Sequence, residues 1–300
     1  MLDSKARTLL ILAQTGSYTK TARRLHLTQP AVSHHIRLLE NEYGIKIFKP
    51  DKKELKFTQE GRILHRYARQ MYEIESRALR AVADSLDNLK HLTVGITQTA
   101  GENLIPQTIA QYCSEHPHTS VSICTDTPDN LYRRMSLYEL DIAIVEGSDD
   151  RHPFESILLD TDRLCLIFSP QHPFARFPQI RLDDLKDEKL ILRSGNAGTR
   201  VLFENYLLKE SENIKNFQVV MEIDNLATIK DLVAMNYGIS IVADSACRSE
   251  IRSGKLASAE IDNARMIRDI SMVYDKDFTH TEILEDLKRI YLRLSSGSRE

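Results

Sequence analysis

Three hundred residues make roughly two domains at ordinary domain sizes, and 42% hydrophobic with 28% charged residues excludes a disordered or low-complexity chain. No uncharged stretch approaches the ~20 apolar residues of a membrane span, and the short apolar run at 9–13 has no small-residue cleavage site after it, so a cytoplasmic protein without membrane contact is expected. The net charge of −3 hides an asymmetry: residues 1–60 hold eleven Lys or Arg against six acids, a balance of +5, and the other 240 residues sum to −8, which points the head alone toward a polyanion.

Apolar residues at Leu2, Ala6, Leu9, Leu10 and Ala13 predict a helix over 2–15, stopped by Gly16. Ser17 caps a second helix through Leu25, with Tyr18, Ala22 and Leu25 inward and Lys20, Arg23 and Arg24 outward. After a turn at His26 and Leu27, Thr28 as N-cap and Pro30 in the first turn open a third helix over 29–43, ended by Gly44. Val32, Ile36, Leu39 and Tyr43 give that helix a packed face. Its opposite face carries Gln29, Pro30, Ser33 and His34, which suit base edges, and Arg37, which suits a phosphate. Residues 45–57 read as two short strands around a basic tip at Pro50, Asp51, Lys52 and Lys53. The expected unit is a winged helix-turn-helix whose third helix enters the major groove.

Residues 9–48 resemble the DNA-binding module of the LysR-type transcriptional regulators. The likeness runs through Gly16-Ser17, Ala22-Arg23-Arg24-Leu25, Gln29-Pro30-Ala31-Val32-Ser33, Leu39-Glu40, Gly44 and Phe48, then Leu55 and Thr58-Gln59-Glu60-Gly61. His34 stands where the family more often has Arg, and Lys49-Pro50 replaces the Arg that usually follows the Phe. The resemblance implies a bacterial, sequence-specific regulator of transcription on an inverted-repeat DNA operator. Gln29, Pro30, Ser33 and His34 would read bases, Arg24, Arg37, Lys52 and Lys53 would hold phosphates, and RNA polymerase would be a partner.

A long helix follows from 58 to about 88, with Ile63, Tyr67, Met71, Ile74, Ala78, Val82, Leu86 and Leu89 spaced as one apolar stripe. The stripe needs cover, either from a second copy of the helix or from the chain's own body. The family resemblance favours the first, a homodimer or homotetramer.

Beyond it, β-type runs at 92–97, 120–124, 141–146, 163–169, 189–193, 217–222, 239–243 and 269–274 alternate with helical patterns near 103–115, 130–138, 199–209 and 225–236 and a C-terminal helix ending near 294. This predicts parallel α/β sheets, in which ligands bind beyond the carboxyl ends of strands. Candidate loops there are Thr97-Gln98-Thr99, the stretch 193–200 from Arg193 to Thr199 and Arg200, and Asp224-Asn225. Taken singly, each also reads as ordinary helix capping.

This body resembles the LysR effector domain, itself similar to type II periplasmic binding proteins. The fold class implied is multidomain α and α/β: a winged helix-turn-helix (1–58), a linker helix (59–90) and a two-lobed α/β effector-binding domain (91–300). Lobe I would comprise 91–162 and 267–300, and lobe II 163–266. A small-molecule co-inducer or co-repressor of anionic type is implied, and no cofactor. Thr97, Gln98, Thr99, Glu146, Arg193, Thr199 and Asn225 are the candidate contacts, with the nearest likeness to regulators of sulfur, nitrogen or carbon assimilation.

An enzyme has little support. The sequence lacks GxGxxG, Walker, HExxH and GxSxG patterns, and its ten His fall in no triad order. Cys113, Cys124, Cys165 and Cys247 form no CxxC pair, so neither a disulfide framework nor a metal site is expected. A secreted solute receptor would suit the body but not the basic head.

Overall fold

The computed structural model describes residues 3–49, 55–87, 89–147, 152–262, 264–278 and 280–298. The chain divides into two compact units, residues 1–91 with 136–139, and residues 92–135 with 140–300.

The first unit begins with α1 (Ser4–Thr15), α2 (Tyr18–Leu25) and α3 (Gln29–Tyr43). Asp3 caps α1, Ser17 caps α2 and Thr28 caps α3, and left-handed Gly16 and Gly44 end α1 and α3. The core gathers Leu9, Leu12, Ile36, Leu39 and Ile47, with Tyr18, Ile45, Phe48, Leu55, Phe57 and Leu64 packed around it. Two details of the expected faces differ. Thr8 and Leu12 join the buried side of α1, while Tyr43 is 54% exposed, because α3 has already passed the edge of this small core one turn earlier at Leu39. Among the described residues the wing shows one antiparallel bridge, Phe48 to Phe57, continued by Lys49 N–H donating to the Lys56 carbonyl at 2.8 Å.

The long α4 (Gln59–Asp87) starts where Thr58 Oγ1 accepts the Gly61 N–H at 2.9 Å. Gly61 is required there: a Cβ at that position would lie 2.1 Å from the Ile47 carbonyl oxygen. The stripe Ile63, Tyr67, Met71, Ile74, Val82 and Leu86 is exposed along α4. Near its start it borders an apolar groove of about 600 Å³ against α1 and α3.

The second unit takes β1 (Lys90–Ile96), α5 (Gln98–Gly101), α6 (Ile105–Glu115), β2 (Thr119–Thr125), α7 (Pro128–Ser136), β3 (Ile142–Glu146) and β4 (Glu155–Phe168) in order. Then come β5 (Gln179–Ile180), β6 (Lys189–Leu192), α8 (Gly198–Lys209), β7 (Gln218–Glu222), α9 (Leu226–Ala234), β8 (Ser240–Ala243), α10 (Arg248–Arg252), β9 (Ala257–Ile261), β10 (Ile267–Tyr274) and α11 (Thr281–Ser298). Strand order in the main sheet is β2-β1-β3-β10-β4-β9-β5, with β8 also on β4 and β6-β7 paired apart.

The expectation of purely parallel sheets is corrected. Parallel pairing holds for β1 with β3, β5 with β9 and β6 with β7, but β10 lies antiparallel to both β3 and β4, and β8 and β9 lie antiparallel to β4. The reason is the double crossing of the chain. β4 is one 14-residue strand whose first half pairs with β10 and whose second half pairs with β8 and β9, and β10 returns beside it in the opposite sense. The first half of β4 escapes a hydropathy reading because it is half solvated: Leu158 is 50% exposed beside buried Leu159.

Among the described residues three hydrophobic clusters fill this unit, one of them Leu131, Tyr132, Met135, Leu140, Ala143, Val145 and Val273, and the two larger ones flank the crossing. One packs Leu92, Val94, Ile144, Ile270 and Met272 against α6 and α11 through Ile109, Tyr112, Ile290 and Tyr291. The other packs Leu166, Ile167, Ile191 and Ile241 against Phe203, Leu207, Ile229 and Val233. The second unit therefore has two lobes. Among the described residues no helix is long and apolar enough to cross a membrane, and no group of three or more His, Cys, Asp or Glu is placed to hold a metal.

Candidate nucleic-acid interface and ligand site

The helix-turn-helix sets one face of α3 outward. Gln29, Pro30, His34 and Arg37 are exposed and Ser33 is half-buried beside them. Thr28 Oγ1 accepts the Ala31 N–H at 3.3 Å, which starts α3 at the residues expected to meet DNA. Arg37 Nη2 lies 3.5 Å from Ser33 Oγ one turn back, so the two side chains share the same edge. Arg24 is exposed at the end of α2. The two adjacent histidines separate: His34 faces solvent, while His35 Nδ1 sits 2.8 Å from Thr8 Oγ1 and ties α3 to α1. Lys52 and Lys53 lie outside the described residues.

The second candidate site forms where β1, β3 and β6 end and β10 begins, near the start of α8. Thr97, buried, caps α5 by accepting the Ala100 N–H at 3.2 Å, and its hydroxyl lies 2.7 Å from both carboxylate oxygens of half-buried Glu146. From the other lobe, Arg193 Nη2 donates to Gln98 Oε1 at 2.8 Å. Thr199, buried, stands in the first turn of α8. Thr99 is buried within α5. Asn225 is not drawn into this group by any described contact: it is exposed, and its Oδ1 accepts the Thr228 N–H at 2.9 Å as the cap of α9. Arg200 has a structural task, donating to the Arg193 carbonyl at 3.3 Å and pairing with Glu204 at 2.5 Å.

Burial pushes the Arg193 guanidinium below its ordinary range; the nearby Arg268 charge adds to that, and Asp224, Glu146 and Glu102 oppose it. Arg268 is a residue that the motif reading missed. Its position was nonetheless written in the strand's parity, since Arg268, Ile270 and Met272 alternate on the inward face of β10. A second link between the lobes is Lys230 on α9, whose Nζ reaches Glu102 at 3.1 Å, Glu250 at 2.7 Å and the Ala246 carbonyl at 3.0 Å. Burial disfavours that ammonium, but its hydrogen bonds to Glu250 and Glu102 outweigh burial and hold it above the usual lysine range.

A capped helix-turn-helix with an exposed polar edge, followed by a two-lobed α/β unit with charged groups converging at strand ends, defines a DNA-binding protein with a ligand-binding module. Residues 4–62 match the bacterial regulatory helix-turn-helix proteins of the lysR family, and residues 87–294 match the LysR substrate binding domain. The chain belongs to the LysR family and is a LysR-type transcriptional regulator with an effector-binding domain. That family consists of regulators, not enzymes.

Its relatives include a "Probable RuBisCO transcriptional regulator" of Emiliania huxleyi, 29% identical over 86% of this chain and 83% of that protein. One of the same description from Trieres chinensis is 26% identical over 89% and 88%. Among solved structures, full-length CbnR complexed with its target DNA shares the fold at TM-score 0.70 and 18% identity, covering 96% of this chain and 98% of CbnR. The CcmR regulatory domain of Synechocystis PCC6803 in complex with 2-PG shares it at TM-score 0.61 and 22% identity, covering 67% and 97%.

Proposed function

We propose that this regulator reads an inverted-repeat operator with α3. Gln29, Pro30, Ser33 and His34 meet base edges, and Arg24, Arg37, Lys52 and Lys53 meet phosphates. The observation that carries this reading is the exposed polar edge of α3, opened by the Thr28 cap and backed by a buried Val32, Ile36 and Leu39 face. In this reading 1–58 is the DNA-binding head, 59–90 the linker, and 91–300 the effector domain with the lobes bounded at 162 and 267. The effector occupies the cleft bounded by Thr97, Gln98, Thr99, Glu146, Arg193 and Thr199, with Asn225 at its margin. It is a small anionic metabolite that biases the angle between lobes and so the spacing of the heads.

The exposed α4 stripe supports pairing with a second copy, as a homodimer or a dimer of dimers, in which RNA polymerase is a further partner. The RuBisCO-regulator relatives support a role in carbon assimilation. The test is fluorescence anisotropy of the full chain on its own promoter region against a scrambled duplex. Gln29→Ala and Ser33→Ala should each cost about 1–3 kcal/mol on the operator and nothing on the scramble. Lys53→Ala should weaken both duplexes alike and reduce the salt slope by about 1. An unchanged operator preference in the Gln29/Ser33 double variant would overturn the reading face.

A further inference from the structure

The reading edge of α3 has to be aimed as well as exposed. The face that seats α3 is apolar: Val32, Ile36 and Leu39 are buried, with Leu9, Leu12 and Ile47 in the same core. Contact of this kind is non-directional, so it holds a helix in place without fixing its rotation about its own axis. Side-chain tips lie about 5 Å from a helix axis, and a rotation of roughly 20° carries them about 2 Å. Hydrogen bonds to base edges tolerate about half an ångström, so such a rotation removes them.

Two polar side-chain ties join α1 to α3 among the described residues. In the first, Thr8 is buried, and its Oγ1 stands 2.8 Å from the Ser4 carbonyl oxygen and 2.8 Å from His35 Nδ1. A carbonyl oxygen only accepts, so the one hydroxyl proton of Thr8 goes to Ser4 and the hydroxyl accepts from the ring. That fixes the imidazole as the tautomer with its proton on Nδ1. The hydrogen bonds therefore run in one direction, from His35 to Thr8 to Ser4. Their far end is firm, because Ser4 opens α1 directly after the Asp3 cap. The second tie, Lys5 Nζ to Glu42 Oε2 at 2.7 Å, joins two long, partly exposed side chains near the other end of α3 and restrains rotation far less.

His35 does not itself share the reading edge. Successive residues on a helix are about 100° apart, which places His35 about 200° round the helix from Ser33. Its effect on base recognition must pass through the orientation of α3. We propose, resting on the assignment of the α3 reading edge above, that His35 is a positioning residue for base recognition. By donating from Nδ1 to Thr8 it locks the rotation of α3, so that Gln29, Ser33 and His34 reach base edges together. The long side chains of Arg24 and Arg37 can follow a small rotation to their phosphates, so the lock sets discrimination between sequences more than overall affinity.

The experiment measures fluorescence anisotropy of the full chain on its own promoter duplex and on a scrambled duplex. Thr8→Val keeps the shape of the side chain and removes the acceptor. It should lower the operator-over-scramble ratio roughly tenfold or more, about the loss of one direct base contact, with affinity for the scramble unchanged. Thr8→Ser, which retains the hydroxyl, should keep the ratio. His35→Asn places an amide N–H where Nδ1 stands and should keep it too, whereas His35→Leu should fall as far as Thr8→Val. Combined in one chain, Thr8→Val and His35→Leu should lose no more than either alone, since a single bond is broken.

A role confined to stability would weaken both duplexes alike. Equal losses on the two duplexes, an unchanged ratio in Thr8→Val, or a His35→Asn protein as poor as His35→Leu would overturn the proposal. Should Thr8→Val fail to fold, His35→Leu against His35→Asn carries the same decision. The Gln29/Ser33 double variant is titrated beside them. If it keeps the operator preference, the reading edge falls and the lock with it. If it loses the preference while Thr8→Val and His35→Leu keep theirs, the reading edge stands and only the lock is removed.

Discussion

Replacing Gly61 by Ala should unseat the junction between the DNA-binding head and α4. The added methyl would stand 2.1 Å from the Ile47 carbonyl oxygen and 2.8 Å from its carbon, where real contacts stay above about 3 Å. The obstacle is backbone, so no rotamer change relieves it. Ile47 is fully buried in the core with Leu9, Leu12, Ile36 and Leu39, and its carbonyl accepts the Thr58 N–H at 3.0 Å. Relief therefore means moving the wing strand or the first turn of α4 by nearly an ångström.

Overpacking of this kind costs about 1–3 kcal/mol, and a loosened hydrogen bond adds roughly 1 kcal/mol. The better helix propensity of Ala returns about 1 kcal/mol, leaving a net loss of about 2 kcal/mol. In a head of this size that is a drop of roughly 10 °C in melting temperature, read by differential scanning calorimetry of the full chain. Operator affinity should fall with it, since Ile47 anchors the wing next to Phe48. Gly195→Ala is the control: a Cβ there meets nothing within 4 Å, so the melt should be unchanged. A Gly61→Ala protein that melts with the parent would refute the argument that this helix start is closed to a side chain.

Lys230→Met should destabilise the effector domain by about 3–5 kcal/mol, because it leaves Glu250 and Glu102 without their buried cation. Since the folded Lys230 titrates above its unfolded value, its contribution is complete below the ordinary lysine range near pH 10.4 and is lost as pH rises through the raised value. The difference in melting temperature between parent and variant should therefore narrow only at strongly alkaline pH; narrowing below pH 9 would contradict the assignment. Cys165 and Cys247, buried with sulfurs 3.7 Å apart, should resist a thiol reagent in the native protein, as the hydrogen bond to Cys247 and burial push the Cys165 thiol well up. The half-buried Cys113 and Cys124 should react first, and four equally fast thiols would show the second lobe open. Met71→Glu combined with Ile74→Glu on the exposed α4 stripe should shift the chain to monomer in sedimentation, and an unchanged oligomer would remove that stripe from the interface.

Local chemistry made the head legible in the amino-acid sequence. Thr28, Pro30, Gly16 and Gly44 act within a turn of where they stand, and helical spacing alone separates Val32, Ile36 and Leu39 from Gln29, Ser33 and His34. Most strands and helices of the body were equally local, as was the placement of Thr97 and Thr199 at helix starts, but the first half of β4 and the short β5, α10 and β9 carry no such pattern and escape a sequence reading. Pairing was not local either, because the direction of β10 between β3 and β4 depends on the chain crossing twice between lobes, and no run of residues encodes which neighbour a strand will meet. The same holds for charge. Arg193 could be read from its loop, but that Arg268, 75 positions later, joins it under the start of α8, while Arg200 turns away to hold a carbonyl, is settled only when the lobes close around them. Whether a cation is paired or stranded is a property of the space around it, and that space exists only in the folded chain.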